Sequence, residues 1–367
     1  MIGSKIRVLI VDDSSFMRSL LKRIIEKDER FEVIASAKDG AEGVELAKKL
    51  QPHIVTMDIE MPVMNGLEAL EKIMKEDPRP VVMVSSLTEE GATATLKALD
   101  LGAIDFLPKA MQDKDKNILS AGGILHEKLA TAARAGTHMN RVMQPPICKP
   151  SITQIPKPVA NTESRPASNN LIHKAIGSFP AKILVIGSST GGPKALACLL
   201  EALPKLSVPI VIAQHMPAKF TLAMAERINK NSDMRVKEAE HGEILESGTV
   251  YIAPGGVHMR IKPSGTSFMV DVHENQGESV YKPSVEVLGK SVFDAVNKNV
   301  VAVMLTGMGS DGADAFEKIH QAGGYVIAQD KESCVVYGMS RSVVEKNAAN
   351  EILPLEGIGR KLVQLLS

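Results

Sequence analysis

Three things are scarce in this 367-residue chain: net charge, long apolar runs and cysteine. The 43 basic and 43 acidic residues cancel, so no global field draws the protein onto nucleic acid or anionic lipid. No stretch approaches the ~18 consecutive apolar residues that span a bilayer, and the early run "IRVLIV" is cut off by Asp12 and Asp13. Membrane insertion is therefore not expected, and the chain reads as soluble and not secreted. Cys148, Cys198 and Cys334 are odd in number and far apart, which suits neither a disulfide framework nor metal-ligand spacing. A reducing cytoplasm is the expected compartment.

What is abundant is alternation. From residue 6 to about 110, "IRVLIVD", "FEVIASA", "HIVTMD", "PVVMVSS" and "AIDFLPK" alternate with helical stretches such as "SFMRSLLKRIIEKD" and "GLEALEKIMKED". Five short apolar runs separated by amphipathic helices predict a five-stranded parallel sheet covered on both faces, and "ILHEKLATAARA" adds a last helix. Residues 144–170 are dense in Pro, Ser and Asn with no apolar period, as in a linker. Alternation resumes with "KILVIGSS", "PIVIAQH", "VVAVMLTG" and "YVIAQD", which predict a second α/β unit. "GTVYIAP", "VHMRIKPSG" and "TSFMVDVH" predict a small antiparallel insert within it. The expected division is 1–125, a helix end and linker over 126–178, and 179–367.

Ligands of a parallel sheet collect beyond the carboxyl ends of its strands. Asp12 and Asp13 follow the first strand, Asp58 ends the third, Ser85 the fourth and Lys109 the fifth. Three carboxylates on one rim call for a hard cation such as Mg²⁺, and a hydroxyl and an ammonium beside them suit a phosphoryl group on the central carboxylate. The runs "VLIVDDS", "VTMDIEMPVMNGLEAL", "VVMVSSLT" and "DFLPK" resemble the receiver domain of bacterial response regulators. That resemblance implies a flavodoxin-like fold in which Asp58 takes phosphate from a histidine kinase. It also implies Mg²⁺ on Asp12, Asp13 and Asp58, with Ser85 and Lys109 as switch residues. Receivers usually carry Pro after that Lys, whereas Ala110 stands here.

The second unit opens on "KILVIGSSTGGPKAL", an apolar run broken by a small-residue turn. The turn has neither the G-x-G-x-x-G spacing nor the Lys-Ser/Thr pair of a phosphate cradle. Gly187, Ser189 and Gly191 do match G-x-S-x-G on a strand-turn-helix, which mounts a nucleophilic serine, although a tight structural corner shares that pattern. Serine needs a base. His215 closes "PIVIAQH" on the same predicted rim, unlike His126, His173 and His320 in helices or the linker. The base needs a carboxylate partner, and two are available: Asp311 in "LTGMGSDGA" and Asp330 in "YVIAQD". Backbone N–H groups of Thr190 and Gly191, with the turn at Met308, are candidates for an oxyanion hole.

"IGSSTGG", "AQHMP", "VYIAPGGVHM", "YKPSVEVLGKSV" and "LTGMGSDGA" resemble the catalytic domain of the protein-glutamate methylesterase family of chemotaxis response regulators. Ser188 and Glu286 are small departures from its motifs. The resemblance implies a doubly wound α/β domain with Ser189 as nucleophile, His215 as base and Asp311 as its partner. It further implies hydrolysis of glutamate methyl esters on methyl-accepting chemoreceptors with release of methanol, and deamidation of receptor glutamine, with no cofactor at the esterase site. A nucleotide-sensing output at "GSSTGG" and a DNA-binding output are the competing expectations; no clear basic helix supports the latter.

Overall fold

The computed structural model describes residues 5–109, 118–136, 179–274, 277, 279 and 281–366. The linker expected at 144–170, with Cys148 and His173, lies outside the described residues.

Strands β1 (Ile6–Val11), β2 (Phe31–Ala37), β3 (Ile54–Asp58), β4 (Val81–Ser85) and β5 (Asp105–Pro108) form one parallel sheet in the order β2-β1-β3-β4-β5. All residues of β3 (IVTMD) and β4 (VVMVS) are buried, so these runs are mostly apolar and lack the alternation of a half-exposed strand. Helices α1 (Ser15–Ile25), α2 (Gly40–Leu50), α3 (Gly66–Glu76) and α4 (Glu89–Asp100) each start at a polar cap. Ser14, Asp39, Asn65 and Thr88 accept from backbone N–H groups of the first turns, and Asn65 forms a capping box with Glu68. Helix α5 (Ile118–Ala135) runs past the boundary expected at 125. The strand order reverses between β1 and β3, so Asp12 and Asp58 flank the crevice where such sheets bind ligands.

The second unit contains β6 (Ile183–Ser188), α6 (Gly192–Ala202), β7 (Ile210–Gln214), α7 (Phe220–Asn229), β8 (Arg235–Glu238) and β9 (Thr249–Ile252). It continues with the hairpin β10 (His258–Ser264) and β11 (Ser267–His273), then α8 (Val285–Val296), β12 (Val300–Met304), α9 (Ala313–Gln321) and β13 (Tyr325–Gln329). Helix α10 (Met339–Glu345), β14 (Glu351–Leu353) and α11 (Leu355–Leu366) complete it. Seven strands make a parallel sheet in the order β14-β13-β12-β6-β7-β9-β8. β6 lies at the reversal, between β12 and β7.

One expectation is corrected. "GTVYIAP" is not part of the antiparallel insert: β9 pairs in parallel with β7 and β8 and all four of its residues are buried. Full burial on both faces selects a central parallel strand; the antiparallel element is β10–β11 alone. No helix among the described residues is long and apolar enough to cross a membrane.

The two units pack against each other through α4, β5 and α5. Phe106 of β5 stacks on Phe220 of α7 with centroids 4.6 Å apart and planes 11° apart, and both rings are buried. Arg227 of α7 donates to Asp100 at 2.7 Å and to the Leu96 carbonyl at 3.3 Å. A single apolar cluster therefore runs from the first sheet into the second unit.

Candidate active site

At the first rim, one carboxylate oxygen each from Asp12, Asp13 and Asp58 lie within 4.8 Å of one another. Asp12 and Asp58 are buried and Asp13 is exposed. Lys109 donates to Asp58 at 2.6 Å and lies 4.0 Å from Asp12, whose buried Oδ2 has no hydrogen-bond partner among the described residues. Burial pushes the Asp58 carboxyl up to about 6 against the hydrogen bond and charge of Lys109. Burial likewise raises Asp12, opposed by the Ser14 N–H and Lys109. Crowded, desolvated carboxylates with an unpartnered oxygen fit a divalent cation bound through oxygen. Ser85 turns its hydroxyl to the Gly91 carbonyl at 3.1 Å, and its own carbonyl accepts from the Lys109 N–H at 2.7 Å.

At the second rim the opening of α6 is a tight turn. Gly191 caps the helix at φ +78°, and a Cβ there would lie 2.7 Å from Val335 Cβ, so only glycine fits. Ser188 is fully buried and donates to Gln214 Oε1 at 2.7 Å, whereas Ser189 reaches the surface. The Ser189 N–H bonds the Thr306 carbonyl at 3.1 Å, and its carbonyl accepts from Gln214 Nε2 at 3.0 Å. The backbone of the elbow is thus held on both sides. Its hydroxyl has no hydrogen-bond partner among the described residues.

β6 and β7 pair Ser188 with Gln214, which puts Ser189 and His215 side by side one residue beyond the sheet. His215 Nε2 lies 2.8 Å from Asp311 Oδ2. Asp311 also accepts from Ser284 Oγ at 2.7 Å and from the N–H groups of Val285 at 2.6 Å and Glu286 at 3.2 Å. Burial alone would raise Asp311, but the hydrogen bond and charge of His215, with the Ser284 and Val285 donors, hold it below the usual carboxylate value. An ionised Asp311 assigns the ring hydrogen to Nε2 and leaves the Nδ1 lone pair as the basic site. Nδ1 is buried and has no partner among the described residues. Asp330 is elsewhere engaged: it closes a turn by accepting from the Ser333 N–H at 2.8 Å and hydroxyl at 2.6 Å.

Residues 184–362 match the CheB methylesterase family and residues 8–119 the response regulator receiver domain. A protein-glutamate methylesterase/protein-glutamine glutaminase of Methanococcus maripaludis is 40% identical over 95% of each chain. The corresponding enzyme 1 of Oleidesulfovibrio alaskensis is 41% identical over 98% of each. This chain belongs to the protein-glutamate methylesterase/protein-glutamine glutaminase family. The CheB methylesterase catalytic domain of Thermotoga maritima is 41% identical, with a TM-score of 0.49 over 50% of this chain and 98% of that one.

In this methylesterase-family chain the Gly307 turn abuts the elbow, since a Cβ on Gly307 would lie 2.9 Å from Ser189 Cβ. Gly191 and Met308 line one cleft, and the N–H groups of Thr190, Gly191 and Met308 donate to no backbone carbonyl among the described residues. The first unit reaches the same place. Asp105 of β5, held by Lys128 at 2.7 Å, accepts from the Thr190 hydroxyl. A cleft of about 1110 Å³ beside the elbow has Glu127, Thr131 and Arg134 of α5 on one side and Gly191, Tyr281 and Met308 on the other.

Four contributors lay beyond the sequence reading: Gln214, Ser284, Thr306 and Tyr281. Thr306 braces the elbow by donating to the Thr190 carbonyl at 2.9 Å. The Tyr281 ring stacks on His215 with centroids 4.3 Å apart and planes 1° apart. Gln214 sits in "AQHMP", and Tyr281 and Ser284 in "YKPSVEVLGKSV", so the motifs marked the segments without marking these roles.

Proposed function

We propose that this chain is a serine hydrolase that cleaves γ-glutamyl methyl esters on the cytoplasmic helices of chemoreceptors and deamidates receptor glutamines. The observation that carries the reading is His215, seated beside Ser189 at the strand ends with Nε2 2.8 Å from a four-donor Asp311. In the acylation step Ser189 Oγ bonds to the ester carbonyl carbon while its proton passes to His215 Nδ1. The C–OCH₃ bond then breaks, and the imidazolium returns the proton to give methanol. Water, deprotonated by the same nitrogen, attacks the acyl-serine, frees the glutamate carboxyl and restores the hydroxyl. A glutamine substrate follows the same course with ammonia as leaving group. Thr190, Gly191 and Met308 N–H groups are the proposed donors to the carbonyl oxygen as it becomes anionic.

The domain reading is a receiver over 1–125, a helix end and linker over 126–178 and a catalytic unit over 179–367, acting in the cytoplasm. Asp58 is the proposed acceptor of a phosphoryl group from a histidine kinase, with Ser85 and Lys109 responding to it. Asp12, Asp13 and Asp58 would hold Mg²⁺, which when bound offsets the charge on the phosphoryl oxygens. The receiver forms one wall of the cleft and Asp105 holds Thr190, so its docked position restrains the esterase. Loosening β5 through Lys109 would release Thr190.

The test is methanol release from methylated receptor by three proteins side by side. A fragment beginning at Asn170 is expected to exceed the unphosphorylated full chain by about 5- to 150-fold, the span of ordinary coupling energies. A phosphodonor should raise the full chain toward the fragment, and Asp58→Asn should stay at the low rate with the donor present. A fragment no faster than the unphosphorylated chain removes restraint by the receiver from the reading.

A further inference from the structure

His215 is clasped by one segment. Ser284 and the N–H groups of Val285 and Glu286 hold Asp311, and three residues earlier Tyr281 lies flat on the imidazole itself. The Lys282 carbonyl anchors this segment by accepting from the Gly256 N–H at 3.2 Å, and within it the Ser279 hydroxyl accepts from the Tyr281 N–H at 3.1 Å. The phenol extends over the Gly309 turn, where a Cβ on Gly309 would lie 3.4 Å from its oxygen.

We propose that Tyr281 is a positioning residue for the acyl-transfer reaction: its ring face, parallel to His215 at 4.3 Å, fixes the imidazole plane between Asp311 and Ser189 and stabilises the imidazolium. The inference rests on His215 being the base of the proposed hydrolase. Among the described residues the imidazole is hydrogen-bonded through Nε2 alone, and it can still swing about that bond, which would displace the basic Nδ1. A parallel ring on one face removes that freedom. The same face is the negative side of an aromatic quadrupole, so it favours the ring when it carries the proton. Burial first, then the charges of Asp311 and of Glu127 on α5, push the Tyr281 phenol above its ordinary value. The ring therefore stays neutral at working pH, and its face keeps this character. Asp311, bonded to His215 from the turn before α9, and Glu127 on α5 are charges that act on Tyr281.

The experiment is steady-state methanol release over a range of pH, with phosphodonor-activated full-length protein and the variants Tyr281→Phe and Tyr281→Leu. Phe keeps the ring and is expected within about twofold of the parent. Leu removes it and is expected to lower kcat about tenfold with KM nearly unchanged. Loss of the aromatic face destabilises the imidazolium, so the base loses its proton more readily. The acidic limb of kcat/KM should then move to lower pH by about half a unit to one unit in the Leu variant and stay in place for Phe. A Leu variant with the parent's kcat and limb overturns the proposal, as does one changed only in KM, or a Phe variant as impaired as Leu. Tyr281→Met, of similar bulk, replaces Leu should thermal unfolding show that Leu disrupts the fold. Ser189→Ala run alongside separates the two levels: activity retained there removes the hydrolase reading itself, whereas activity lost there with Leu unimpaired removes only the role of Tyr281.

Discussion

Ser189→Ala is expected to reduce kcat for methanol release by about a millionfold, the scale reached when a triad nucleophile is lost, while thermal unfolding stays at the parent's value. The fold should hold because Ser189 is braced through its backbone, by Thr306 and Gln214, and its hydroxyl has no partner to lose among the described residues. The neighbouring serine predicts the opposite pattern. Ser188 is fully buried and its hydroxyl donates to Gln214 Oε1 at 2.7 Å. Ser188→Ala leaves that oxygen without its donor, at a cost of roughly 1–3 kcal/mol in stability, but touches no reacting atom and should change kcat only a few-fold. The two alanine variants thus separate rate from stability. A dead Ser188→Ala beside an active Ser189→Ala would shift the elbow by one residue and dismantle the assignment.

Most of both sheets could be read in advance because fully buried parallel strands are written as short aliphatic runs, and β3, β4, β6 and β12 are all of this kind. β9 is the exception, since its run predicts an antiparallel strand and it pairs in parallel with β7 and β8. Its four residues stand between Gly and Pro turns next to a true hairpin, and only pairing with residues about forty positions earlier, Ile210 with Val250, reveals the central strand. β8, "RVKE", and the three-residue β14 carry too little apolar pattern to stand out, as suits strands at the two edges of the sheet. Ser189 and His215 were legible because each follows a recognisable strand. For the carboxylate partner the sequence favours Asp311, a Gly-rich turn beyond β12, with Asp330 directly after β13 as its rival. The structure separates them through α8, whose first turn arrives from residues 284–286 to surround one carboxylate and not the other. Asp105 was legible as a strand residue and silent as a contact, because its partner Thr190 lies in the other unit.

That surround makes the second large effect predictable. Asp311 presents two oxygens to four donors: the His215 ring, the Ser284 hydroxyl and two backbone N–H groups. An asparagine offers one acceptor oxygen and one amide nitrogen that can only donate. The His215 ring and the Val285 N–H share Oδ2, and the Ser284 hydroxyl and the Glu286 N–H share Oδ1, so one amide oxygen cannot serve both pairs; with that oxygen in the Oδ1 place, the NH₂ group faces His215 and the Val285 N–H. The imidazole must then carry its hydrogen on Nδ1, the nitrogen proposed to take the Ser189 proton, where the reaction needs a lone pair. Asp311→Asn should therefore lower kcat by about ten-thousandfold through the wrong tautomer, leaving nucleophile and base both present. It should also unfold at somewhat lower temperature, since one donor at the α8 start loses its acceptor. Asp330→Asn disturbs only the Ser333 turn and should remain within about tenfold of the parent. Methanol release and thermal unfolding of the two variants decide the matter. Equal rate losses with both folds intact would mean that Asp311 does not set the His215 tautomer, and a full rate for Asp311→Asn would leave His215 acting without a carboxylate partner.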